Sequence, residues 1–321
     1  MVLFDAYMMV DWSAAAVPRT GKDSIWICAG ERRGRGIELA VLENPPTRAA
    51  ARTRLADLLA EARERGLKTL AGFDFPFGYP RGFARALGLA GPAWRAAWDE
   101  VSRLIEDGEN NANNRFEVGA DLNRRLGAPG PFWGCPARRG GPHLPTRRPQ
   151  AYGKGRLAER RIGERYITGP QPVWKLAYTG SVGSQMLMGL PVVEALRRDP
   201  RLGALVWPFE TGLKPLDGTV LNGCATVLAE IYPSLVAPKS ASGAVKDALQ
   251  VQAMVGHLKA LDDEDRLGAL FAGAADLSAA ERHAVETEEA WILGVNEPGT
   301  KSGRIAVDVD RLFGGGAHSR A

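Results

Sequence analysis

The chain has 321 residues, 45% hydrophobic and 24% charged, with a net charge of +4. This is the composition of a packed globular protein and excludes disordered and collagen-like classes. No window holds the ~20 apolar residues of a membrane helix, and no basic-then-apolar leader opens the chain, so no membrane partner and a cytoplasmic location are expected.

Segments 7–12, 24–30 and 37–43 are short apolar or alternating runs separated by turn-rich stretches, which predicts a three-stranded antiparallel meander. Asn44-Pro-Pro-Thr47 introduces a helix over 48–65, with Leu55, Leu58, Leu59 and Ala62 at helical spacing and Gly66 as its stop. The following run, 69–73, is almost wholly apolar, as befits a strand buried on both faces beside the first. Helices are expected at 92–107 and 111–126. Residues 127–171 are rich in Pro, Gly and Arg without periodicity, and a stretch of that length is usually functional or mobile. Helical patterns begin at 181–187 and 192–198, and strands follow at 204–209 and 226–231. Ser242 is the expected N-cap of a helix over 243–261. Further helices are expected at 263–271 and 278–293, and a disordered tail at 314–321.

Three strands, a helix and then a central strand parallel to the first is the opening of an RNase H-like fold. The predicted class is therefore α/β: a mixed sheet of a three-stranded antiparallel meander plus parallel strands, flanked by helices. One domain, 1–313, is expected, with an Arg-rich insertion at about 128–185. Within 131–170, Arg138, Arg139, Arg147, Arg148, Lys154, Arg156, Arg160, Arg161 and Arg165 face only Glu159 and Glu164. Such a stretch is either a grip for phosphates or a solvated basic loop. Cys28, Cys135 and Cys224 are widely spaced, and no CxxC or Cys/His cluster appears, so neither zinc nor a disulfide is expected.

Four carboxylates fall at strand or helix ends. Asp11 closes Tyr-Met-Met-Val-Asp and Asp74 closes Leu-Ala-Gly-Phe-Asp; Glu230 closes Val-Leu-Ala-Glu, and Asp247 opens a helix after Lys246. Phosphodiester hydrolysis by metal ions needs carboxylates converging from several strand ends, and magnesium takes one or two of them with waters and phosphate oxygens. Each acid also has a structural alternative: a turn for Asp11 and Asp74, a salt bridge for Glu230, a helix-end charge for Asp247. Glu210 is a fifth candidate, and Glu289 could reach the same site. Arg115 among four asparagines, Lys175 and Ser184 in a Gly-flanked hydroxyl stretch, and Lys246 are candidate substrate-binding residues.

Val-Asp-Trp-Ser, Gly-Phe-Asp-Phe-Pro-Phe-Gly-Tyr-Pro, Ala-Glu-Ile-Tyr-Pro-Ser and Lys-Asp-Ala-Leu-Gln-Val-Gln-Ala resemble the signature of an uncharacterised family of predicted RNase H-like nucleases. The resemblance covers the first ~80 residues and 204–260. It implies a metal-dependent nuclease in which Asp11, Asp74 and Asp247 bind Mg2+ or Mn2+, with Glu230 supplied by the Glu-x-Tyr-Pro motif. The wider superfamily's junction resolvases carry two aspartates on the last helix, whereas Asp247 is flanked by Lys246, Ala248 and Gln250, which leaves one metal or two open. The expected reaction is attack of water on phosphorus. Asp11 and Asp74 hold the ion, Asp247 completes its shell, Glu230 orients or deprotonates the water, and nucleic acid (DNA or RNA) or a nucleotide-like phosphoester is the partner. The alternatives are an actin-like ATP-binding phosphotransferase, which needs a second strand meander after residue 200, and a non-catalytic RNase H-like scaffold.

Overall fold

The computed structural model of the protein describes residues 1–127, 130–149, 152, 157–241, 243–295 and 305–313. Strands β1 (Ala6–Asp11), β2 (Trp26–Arg33) and β3 (Gly36–Glu43) are followed by helix α1 (Arg48–Glu64) and strand β4 (Thr69–Phe73). Helices α2 (Phe83–Ala86), α3 (Ala93–Leu104), α4 (Arg115–Leu126) and α5 (Val182–Arg198) lead to β5 (Ala204–Val206) and β6 (Thr226–Glu230). Then come β7 (Val236–Lys239), α6 (Lys246–Asp263), α7 (Leu267–Leu270), α8 (Ala279–Ala284), β8 (Ile305–Asp308) and α9 (Val309–Phe313).

Six strands form one mixed sheet in the order β3-β2-β1-β4-β6-β5. β1, β2 and β3 are an antiparallel meander, and β4 runs parallel to both β1 and β6. β4 is buried along its whole length, as its unbroken apolar sequence requires, whereas β3 alternates at the sheet edge. One face packs Val10, Phe73 and Leu228 with residues of α1, α3 and α5. The other packs Met9, Leu70 and Val227 against Val251, Met254, Val255 and Leu258 of α6. The three cysteines are free and buried.

Several boundaries move. The two helical patterns at 181–198 are one 17-residue helix, α5, running through Pro191. Proline removes one helical hydrogen bond, but burial of Met186, Leu187, Leu190, Val193 and Leu196 holds the turns on either side together. Strand β5 stops at Val206. Helix α6 starts at Lys246 with Val245 at its cap, three residues later than expected, and Ser242 lies outside the described residues. The helix expected at 263–271 shrinks to α7. The one expected at 278–293 is α8, capped by the reciprocal Ser278–Glu281 pair, followed by a wider turn at Val285–Glu289. The small parallel pair β7–β8 and helices α2 and α9 have no counterpart among the predicted elements. The tail expected at 314–321 lies outside the described residues.

Candidate functional site

The alternation of an extended chain builds the site. Phe73, Phe75 and Phe77 pack into the core on one face, Phe73 lying 5.8 Å from Phe75 and 6.1 Å from Phe77 between ring centroids. Asp74, between two of them, therefore leaves on the opposite face. Asp11 follows Val10, which pairs with Phe73, so the two aspartates stand side by side at the ends of parallel strands. Their carboxyl groups are hydrogen-bonded to each other.

Asp74 Oδ1 also accepts the Trp12 main-chain N–H at 2.7 Å, and the Asp74 N–H reaches the Val10 carbonyl at 3.2 Å. Burial pushes the Asp74 carboxyl up to about 6, against the lowering effect of its bonds from Asp11 and Trp12, and Asp247 raises it further. Burial raises Asp11 well above the ordinary carboxylate range, and the negative charges of Asp74, Asp247 and Asp23 add to this. Both carboxyls are thus held above the ordinary carboxylate range, and the pair shares a proton.

Asp247 lies in the first turn of α6, on the face of the sheet that carries the pair, and its charge is felt by both aspartates. Its Oδ2 accepts the Asp23 N–H at 2.8 Å. Asp23, in the turn before β2 with φ of 55°, was not among the sequence candidates. Only its position in a Gly-Lys-Asp turn hinted at a backbone role. Among the described residues no three His, Cys, Asp or Glu side chains are arranged to hold an ion together. The structure thus brings together two of the four acids, with Asp247 close enough to act on them electrostatically.

Glu230 does not join them. It pairs with Phe73 in the β4–β6 register and so leaves the sheet on the phenylalanine face. There both its oxygens bind the buried Arg161, at 2.7 and 2.5 Å, and Oε2 also accepts the Phe77 N–H at 2.9 Å. Arg161 was expected in a phosphate-gripping segment; instead it is 2% exposed and bonded to Glu230, Glu164 and the Glu289 carbonyl. Burial opposes its charge, but Glu230 and Glu164 outweigh that and hold its pKa above the usual value. Glu289 accepts the N–H groups of Ile162 and Arg81, and Glu288 that of Gly82. Gly78 lets this loop close, because a Cβ there would lie 2.3 Å from the Glu288 carbonyl oxygen. Glu230 and Glu289 are therefore members of a structural ion cluster. Glu210 is likewise engaged, by Arg197, Arg95 and the Val206 N–H.

Part of the basic stretch is neutralised: Arg139 pairs with Glu117, Arg148 with Glu159 and Arg165 with Glu281. Lys154 and Arg156 lie outside the described residues. Arg115 and Ser184 are brought together, Nε to Oγ at 3.1 Å, and Gln185, the next residue, donates to the Trp12 carbonyl at 2.7 Å. Lys175 donates to Gln171 and to the Thr179 carbonyl in the adjacent loop, whose return is possible because Gly183 lies flat against the Val173 carbonyl. Lys246 is exposed beside Asp247. A cavity of about 840 Å³ between α6 and the β8–α9 segment, lined by Ile37, His257, Val307 and Leu312, contains none of the candidate acids.

No protein-family model, curated protein or solved structure matches the chain. Among the described residues, no helix is long and apolar enough to cross a membrane.

Proposed function

We propose that the protein is a metal-dependent phosphodiester hydrolase of RNase H-like type, in which Asp11 and Asp74 hold Mg2+ or Mn2+ and Asp247 adds charge beside them. The observation that carries this reading is the hydrogen-bonded Asp11–Asp74 pair, which no cationic side chain neutralises among the described residues. Two carboxylates this close cannot both ionise without a proton or a cation between them. Oxygen donors from two carboxylates, completed by waters and phosphate oxygens, suit magnesium.

A bound cation would supply Lewis-acid stabilisation of the charge that builds up on phosphorus oxygens. The chain's own part is positional and protonic. The Trp12 N–H fixes the ionised Asp74, so that side chain faces its ligand without rotating. Asp11 gives up the shared proton when a cation arrives, and Lys246 offers charge to the phosphate from the start of α6. Glu230 takes no part, in contrast to the role its motif implies. The strand order, with an antiparallel meander followed by parallel strands, supports the RNase H-like assignment. Only one such meander occurs among the described residues, which weighs against an actin-like duplicated core.

The test is a manganese-dependent cleavage assay on single-stranded, duplex and branched DNA and RNA, run with wild type and Asp74→Asn. Cleavage by wild type alone is expected. Equal cleavage by both proteins would overturn the site, and no cleavage of any substrate would overturn the nuclease reading. The lack of a third convergent acid among the described residues favours, as a second reading, an RNase H-like binding scaffold. A scaffold would gain no thermal stability from millimolar magnesium or manganese.

A further inference from the structure

Among the described residues, Arg115 is a cation without an acid. Its guanidinium is mostly buried, yet its partners are neutral: Ser184 Oγ at 3.1 Å, Asn113 Oδ1 at 2.7 Å and the Phe116 ring at 4.4 Å from the centroid. Asp107, whose charge it feels, is committed to Arg48, and Glu117, two residues on in the same helix, to Arg139. No carboxylate pairs with Arg115 among the described residues. Burial, and the nearby charges of Arg48 and Arg139, push it down to about 10.

A guanidinium kept in this state costs stability unless an anion binds it. The loop beside it has matching features. Ser184 bonds the Leu176 carbonyl, and the Gly183 N–H reaches the Lys175 carbonyl at 3.0 Å, so residues 175–184 fold back on themselves next to Arg115. The Lys175 ammonium also bonds only neutral oxygens and lies over the Trp133 ring. In the same loop Tyr178 stands 66% exposed with φ of 68°, a strained backbone for an aromatic residue, its hydroxyl donating to the Cys135 carbonyl at 3.4 Å. The group adjoins the aspartate pair: Gln185 bonds the Trp12 carbonyl, and Arg48, whose charge Arg115 feels, bonds the carbonyls of Ser13 and Ala15.

We propose that Arg115, its guanidinium set in place by the buried Ser184, forms a phosphate subsite with Lys175 of the adjoining loop, and Tyr178 a base-stacking face, so that this surface takes one nucleotide unit of a single strand leading to Asp11 and Asp74. The proposal rests on the phosphodiesterase reading for its direction but not for its test. Arginine grips a phosphate with a planar fork of donors, and a base stacks on an aromatic ring whatever its sequence. Duplex is disfavoured because its bases keep their faces stacked on each other.

Binding is measured in EDTA, so metal chemistry is silent. Anisotropy of labelled dT12 and of a 12-base-pair duplex is read alongside thermal shifts in sodium phosphate against chloride at matched ionic strength. Wild type is expected to bind dT12 more tightly than the duplex and to be stabilised by phosphate. Arg115→Gln should bind dT12 about tenfold or more weaker and lose the phosphate shift, while its melting temperature without phosphate stays at or above wild type. Tyr178→Ala should bind dT12 about fivefold or more weaker with the phosphate shift intact. Arg115→Lys, which keeps the charge but not the fork, should fall between. Unchanged dT12 binding by Arg115→Gln, or no phosphate shift in wild type, overturns the subsite. Unchanged dT12 binding by Tyr178→Ala, or equal affinity for duplex, overturns the nucleotide assignment and leaves only a phosphate site. Binding in EDTA does not depend on metal or on cleavage, so a failed cleavage assay and a failed binding assay are separate results.

Discussion

Two acidic clusters lie at neighbouring ends of the same parallel strands, and they are built on opposite principles. Around Glu230 the protein supplies the counter-charge: Arg161 binds Glu230 and Glu164, main-chain N–H groups hold Glu289, and the cluster is sealed from water. Around Asp11 and Asp74 the described residues supply none, leaving a shared proton and the further negative charge of Asp247. A carboxylate at a buried strand end is common to both, so position alone does not mark a site. What distinguishes them is whether the fold provides a cation, and only the uncompensated pair has a reason to take one from solution.

The largest expected effect lies in the compensated cluster. Arg161→Met should cost about 3–5 kcal/mol in urea unfolding, because it strands several buried carboxylates. Glu230→Gln should cost less, since Glu164 still pairs with Arg161. A loss below about 1 kcal/mol for Arg161→Met would erase the contrast. Next, manganese at a hundred times its dissociation constant should stabilise wild type by about 3 kcal/mol and Asp74→Asn by far less. An equal shift in both would place the ion elsewhere.

Asp74→Asn itself should stabilise the metal-free protein by about 1–3 kcal/mol at pH 7.5. The sign follows from linkage. Both carboxyls have native pKa values above the ordinary unfolded value of about 4, so between about pH 4 and 6 the native state binds more protons than the unfolded state, and stability falls as pH rises. Asp11, raised by burial and by the charges of its acidic neighbours, adds to the same decline. The gap between variant and wild type should therefore widen from pH 4.5 to 7.5 in urea titrations, and parallel curves would show that the pair is not coupled. The smallest effect is expected for Asp247→Asn: under about 1 kcal/mol in stability, since an amide oxygen can still accept the Asp23 N–H. Its metal affinity should nevertheless fall measurably in the same manganese titration.

The meander, α1 and β4 were legible because their residues carry strict local patterns. Short apolar or alternating runs mark the first three strands, Thr47 and Gly66 bracket the helix, and the unbroken apolar Thr-Leu-Ala-Gly-Phe marks a strand covered on both faces. Where the pattern was interrupted the boundaries failed. Pro191 reads as a break, yet burial on both sides carries α5 through it, and the apolar periodicity of 278–293 hid the wide turn after α8. Arg115 and Ser184 were found as polar residues near the starts of two expected helical segments, but their contact across 69 positions was invisible in the sequence.

The sequence by itself determined that acids would close β1, β4 and β6, because each interrupts an apolar run at its end. Which of them share a site was decided only by tertiary structure. The register pairs Glu230 with Phe73 rather than with Asp74, and the pleat then sends the two carboxylates to opposite faces. Arg161 reaches Glu230 from 69 residues away, while no cation reaches Asp11 or Asp74 among the described residues. Charge balance is a property of neighbours in space, and a linear order of residues does not contain it.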